Sequence, residues 1–316
     1  MTRVPVTPRL QWQRDSADWP HREYSRFVAA GGVHWHVQQL GTTSAAGPVA
    51  LLLHGTGAST HSWRDFAPLL APHFTVLMID LPGHAFSGLP AAAQMSLPGM
   101  ARAIGALMHT LGVAPALIVG HSAGAAIAAQ MALAGAAQEQ GQAQVPGHVR
   151  PRAIASLNGA WLPLGGVSGR VFSPVAKLMA LNPLVPRLFS WLAQDASAVA
   201  RLIDGTGSQI DAVGARQYGR LVANPGHVAG ALQMMANWDL AALQVQLPAL
   251  AVPVLLLTGS NDRTVPPAQA LQVAGLLPGA RVQRLAGLGH LAHEEQPALV
   301  ARAVLEFARE QGILGA

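Results

Sequence analysis

The 316-residue chain has no cysteine, which excludes disulfides, thiolate metal sites and a cysteine nucleophile in one step. It has a single lysine, Lys177, and charged residues make up only 11%. The formal charge of +5 therefore rests on scattered arginines with no dense basic run, which argues against a nucleic-acid partner. Residues 1–19 are polar, include Pro5 and Pro8, and lack the apolar stretch of a secretory signal. Together with the missing cysteines, this leads us to expect a cytoplasmic address. The longest apolar run, Val113 to Ala137, is broken by His121, Ser122 and several glycines, so it reads as strand, turn and helix and no transmembrane segment is expected. What is plentiful is apolar: 51% hydrophobic residues are ample for a buried core.

Short apolar runs end in Gly, Asp or Asn and are followed by Ala/Leu-rich stretches of helical length. That alternation predicts an α/β fold with a mostly parallel sheet flanked by helices. The strand candidates are Val33 to Gln39, Val49 to Leu53, Thr75 to Ile79, Ala116 to Val119, Ala153 to Leu157, Val254 to Thr258 and Arg281 to Leu285. Between Trp161 and Trp238 the strand-like runs vanish. We expect residues 161–238 to form a helical cap inserted into a core made of 1–160 and 239–316. The insert is rich in large apolar side chains, and an apolar substrate pocket is expected from Trp161, Phe172, Phe189, Trp191, Met234 and Trp238, with His121 beside the nucleophile.

Gly120-His121-Ser122-Ala123-Gly124 lies between a strand candidate and a helical run, the setting of a nucleophile elbow. Small residues flank the serine because a strained turn leaves no room for larger ones. The helix starting at Ala123 aims free N–H groups at a developing oxyanion, so Ala123 N–H is one expected donor. His54-Gly55-Thr56-Gly57 follows the strand ending at Leu53, and Thr56 N–H is the second. Asp262 follows the strand ending at Thr258, and His290 the strand ending at Leu285. A turn aspartate can simply cap the next helix, and His293 competes with His290 as the base. Ser122, Asp262 and His290 nevertheless stand in the order Ser, Asp, His, each after its own strand, which points to nucleophile, acid and base. No phosphate-binding loop, dinucleotide fingerprint or metal-spaced His/Glu pair occurs, so neither cofactor nor metal is implied.

Leu53 to Gly57, the Ser122 elbow, Gly259 to Pro266 and Gly289-His290 resemble the α/β-hydrolase superfamily. Trp19-Pro20-His21-Arg22, Ser25 to Val28, Trp35 to Gln38, Gly57 to Arg64, Ser96 to Met100 and Ala236 to Leu240 resemble, more narrowly, the magnesium-chelatase accessory family of bacteriochlorophyll synthesis. The first resemblance implies an eight-stranded sheet and serine hydrolase chemistry through an acyl-enzyme. The second implies work near magnesium insertion, peripheral to the photosynthetic membrane. A porphyrin or its ester would be the small apolar partner, and magnesium-chelatase subunits the protein partners. It leaves open a non-catalytic porphyrin-binding accessory as the alternative to an esterase-like enzyme.

Overall fold

The computed structural model describes residues 8–41, 47–139, 149–163, 182, 184–192 and 194–315. Eight strands run in chain order as β1 (Ser25–Ala30), β2 (Val33–Leu40), β3 (Val49–Leu53), β4 (Thr75–Ile79), β5 (Leu117–His121), β6 (Ala153–Leu157), β7 (Val254–Gly259) and β8 (Arg281–Leu285). They form one sheet in the order β1-β2-β4-β3-β5-β6-β7-β8. The pairs β1–β2 and β2–β4 are antiparallel and all others parallel. Central strands are covered on both faces, as near-continuous runs such as Val49–Leu53 require. Leu51 and Leu53 of β3 pack with the helices Leu97–Leu111 and Ala123–Glu139, while Ala50 and Leu52 face the side closed by Pro297–Glu310.

The seven strands expected from the pattern are present to within two residues at each end. The eighth, β1, has the half-exposed face of an edge strand and carries exposed Arg26. Gly31 and Gly32, at φ +56° and +77°, close the β1–β2 hairpin, a two-residue turn that glycine tolerates without strain.

Strand order reverses around β3, which has β4 on one side and β5 on the other. At such a switch point two connecting helices leave on opposite faces, so a crevice opens beyond the carboxyl ends of the strands. Leu53 pairs with Gly120 there, bringing the turns that begin at His54 and Ser122 side by side.

Between β6 and β7 the described residues form no strand but five α-helices, Leu184–Leu192, Ala196–Gly205, Ala212–Val222, Pro225–Ala236 and Leu240–Gln246, and a short 3-10 turn, Leu247–Ala249. Asp195, Asp211, Asn224 and Asp239 cap four of these, each accepting a first-turn backbone N–H on its side chain.

Candidate active site

Ser122 follows β5 at φ +50°, a left-handed conformation that costs a non-glycine residue roughly 1–2 kcal/mol. Backbone bonds hold it there: Ser122 N–H donates to Leu157 O at 3.0 Å, and Ser122 O accepts from Ala125 N at 3.1 Å and Ala160 N at 3.0 Å. The flanking glycines answer to packing. A Cβ on Gly120 would stand 2.5 Å from Ala125 N, and one on Gly124 2.1 Å from Leu53 O. The turn therefore lifts the serine toward the crevice, where it remains partly accessible while its neighbours are buried.

Asp262 lies in the turn after β7. Its Oδ1 accepts from Thr264 N at 2.8 Å and Val265 N at 2.9 Å. Its Oδ2 accepts from His290 Nδ1 at 2.8 Å. That contact places the imidazole proton on Nδ1 and leaves Nε2 free to accept one. The structure thus brings Asp262 and His290 into direct contact. It brings Ser122 and His290 onto the wall of one cavity, without a hydrogen bond between their side chains. His293, the competing histidine, is fully buried off that wall, with its ring 4.5 Å from His121 and 4.6 Å from Trp63.

Thr56 and Ala123 line the same cavity, and among the described residues neither N–H is engaged in a backbone hydrogen bond. The cavity measures about 880 Å³ and is largely apolar, closed by Leu162, Val199, Leu202, Ile203, Met235 and Trp238 from the segment between β6 and β7. Of the expected pocket residues, Trp238 and His121 lie on its wall. Trp161 does not: it is buried in the core, its Nε1 donating to Ser156 Oγ at 2.8 Å. Met234 is also buried, against Thr56. Phe189 and Trp191 point outward, 44% and 65% exposed, because their helix turns Pro186 and Ser190 inward. Phe172 lies outside the described residues.

Residues 50–303 match the alpha/beta hydrolase family. The chain belongs to that family. This alpha/beta hydrolase is 39% identical over 278 residues to the magnesium-chelatase 30 kDa subunit of Rhodobacter capsulatus, covering 88% of this chain and 92% of that protein. Solved structures share its fold. A putative lipase from Acinetobacter baumannii superposes with a TM-score of 0.72 at 18% identity, over 98% of this chain and 99% of the other. The enol-lactonase of Burkholderia xenovorans gives 0.71 at 22% identity, over 90% and 100%.

The structure adds two features to this site. The first is Asn158, which follows β6 at φ +49° and is buried. Its Nδ2 donates to Asp262 Oδ2 at 2.8 Å and Gly289 O at 3.2 Å, tying Asp262 to the loop that carries His290. Replacing Asn158 with alanine removes both bonds and raises the backbone strain, so urea unfolding should show a loss of about 2–4 kcal/mol. Asn158→Gly should lose less, since glycine adopts the same backbone freely.

The second is a set of neutral histidines that brace the site loops. His54 Nε2 accepts from Leu81 N at 2.9 Å, so its Nδ1 donates to Gly55 O at 2.8 Å. His121 Nε2 donates to His290 O at 3.0 Å, joining the Ser122 turn to the loop that carries His290. Burial pushes His54 down to about 4 and holds His121 well below the ordinary imidazole range, so both act as fixed neutral dipoles near neutral pH. On the cavity wall, Tyr218 donates to Glu294 Oε1 at 2.7 Å, and burial raises that carboxyl to about 8. Among the described residues no group of three or more His, Asp or Glu side chains could hold a metal ion, and no helix is long and apolar enough to cross a membrane.

Proposed function

We propose that this chain is a serine hydrolase acting on an ester or similar acyl bond of a bulky apolar substrate, working beside magnesium chelatase in bacteriochlorophyll synthesis. The observation that carries the chemistry is the Asp262–His290 contact at 2.8 Å on the cavity that Ser122 also lines. His290 Nε2 takes the Ser122 proton as Oγ attacks the carbonyl, and Asp262 stabilises the resulting imidazolium. The oxyanion falls between Thr56 N–H and Ala123 N–H. His290 returns the proton to the leaving group, and water then releases the acyl group by the reverse sequence.

The helices between β6 and β7 act as a cap whose apolar lining selects the substrate. The likeness to a magnesium-chelatase 30 kDa subunit supports the pathway and favours a porphyrin ester as the substrate and chelatase subunits as partners.

The test is labelling with a fluorophosphonate probe followed by peptide mapping. The expected adduct sits on Ser122 and forms only in the folded chain. A chain that takes no label, yet quenches its tryptophan fluorescence when protoporphyrin is added, would instead be a non-catalytic porphyrin-binding accessory.

A further inference from the structure

The helix Pro225–Ala236 grips the loop that carries the Thr56 donor. His227 Nε2 lies 3.0 Å from Gly57 O, and Thr56 Oγ1 lies 3.6 Å from Met234 Sδ. Between these points the helix meets the loop after β4 backbone to backbone, since a Cβ on Gly230 would stand 2.0 Å from Gly83 O. Its last turn, Met235 and Ala236, walls the cavity. Its first turn is held by Asn224 Oδ1, which accepts from His227 N at 2.9 Å, and by the N-terminal arm, where Pro8 O accepts from Gly226 N at 2.9 Å.

The partners of His227 determine its tautomer. Ala85 N–H needs an acceptor and finds Nδ1 at 3.0 Å, so the ring proton is on Nε2 and is donated to Gly57 O. The ring is buried, and burial with His84 nearby keeps it neutral. Gly57 occupies φ +79°, and Ala58 N–H closes the turn onto Gly55 O at 3.2 Å. Among the described residues no other hydrogen bond reaches Gly57 O. The peptide that follows Gly57, two peptide units beyond the one that carries Thr56 N–H, is therefore aimed by a side chain belonging to the inserted helices, not to the sheet.

We propose that His227 is a positioning residue: by donating from Nε2 to Gly57 O it aims the turn that presents Thr56 N–H to the reacting oxygen. The oxyanion donor thereby depends on how Pro225–Ala236 is seated over the cavity. Substrate filling the cavity against Met235 and Ala236 would steady the same helix, coupling occupancy to transition-state stabilisation. This inference rests on the hydrolase reading.

Two conservative variants separate the bonds that His227 makes. His227→Gln can place an amide N–H near the position of Nε2 and keep the bond to Gly57 O. His227→Asn can keep an acceptor near Nδ1 for Ala85 N–H but cannot reach Gly57 O. For p-nitrophenyl ester hydrolysis, the Asn variant should lose about 10²-fold in kcat with KM within about 3-fold, whereas the Gln variant should stay within about 5-fold of the wild type. Amide hydrogen exchange at residues 56–58 should quicken about 10-fold in the Asn variant only. The proposal is overturned if the Asn variant keeps the wild-type kcat, or if both variants lose kcat, KM and Tm together as a packing defect would. If the wild type neither hydrolyses esters nor takes the fluorophosphonate, the hydrolase reading fails. The exchange comparison then decides the coupling alone: faster exchange in Asn than in Gln supports it, and equal protection overturns it.

Discussion

Ser122→Ala should lower kcat for ester hydrolysis by about 10⁵- to 10⁶-fold on the proposed hydrolase reading, in which the Ser122 hydroxyl, on the same cavity wall as His290, is the nucleophile. The proposed oxyanion donors, Thr56 N–H and Ala123 N–H, and the cavity remain in that variant, so a rate above that of free water should persist. Stability moves the other way for a second variant. Ser122 is held at φ +50°, so Ser122→Gly should raise the free energy of unfolding by about 1 kcal/mol while abolishing turnover. Alanine, which keeps a Cβ in the same backbone, should gain nothing comparable. Steady-state kinetics and urea unfolding on the three proteins check both statements. Turnover by Ser122→Ala within 10-fold of the wild type would remove the serine from the mechanism.

Acid should unfold the chain cooperatively, with a midpoint near pH 5. Burial pushes His54 down to about 4 and His61, His84, His227 and His293 down to about 3, with His121 also well below the ordinary value of 6.5. The unfolded chain therefore takes up protons below about pH 6.5 that the folded chain refuses. These six imidazoles contribute stability that is fully present above 6.5 and is lost as pH falls toward 3 to 4. Each can remove up to about 1.4 kcal/mol per pH unit, so together they approach roughly 8 kcal/mol per unit. A domain holds only about 5–15 kcal/mol in total.

Glu294 has the opposite sign. Its carboxyl, raised to about 8, keeps a proton in the folded state that the unfolded state releases above about 4.5, so it costs stability as pH rises between those values. Circular dichroism from pH 8 to pH 4 reads the balance. Neither ring nitrogen of His293 has a hydrogen-bond partner, so His293→Phe should make the acid limb shallower. A Tm that stays constant from pH 7 to pH 5 would contradict this account.

Much of the site is legible in the sequence because its chemistry sits where strands end. Apolar runs locate β3, β5, β7 and β8, and His54, Ser122, Asp262 and His290 each fall within five residues of such an end. The chain pattern does not say which way a helix faces. Phe189, Trp191 and Trp161 share a composition argument for the pocket, yet the first two face solvent and the third is buried beneath Ser156. The packing of Pro186 and Ser190 turns the first two outward, and the bond to Ser156 goes with the burial of the third. Asn158 and His227 are equally silent in one dimension, since each acts on a partner more than 100 residues away. The edge strand β1 escapes notice because its six residues, four half-buried and two exposed, lack the alternation that marks a buried face.

The sheet places β8, the final strand in the chain, at an outer edge, and β7 just inside it. On the ribosome the central strands and the Ser122 turn are synthesised well before Asp262 and His290 emerge. On the proposed hydrolase reading, a nascent chain therefore displays an unactivated serine alcohol and gains reactivity only when its last fifth docks against β6. Truncations ending before β8 should consequently be inert toward acyl donors even where the rest of the sheet has assembled.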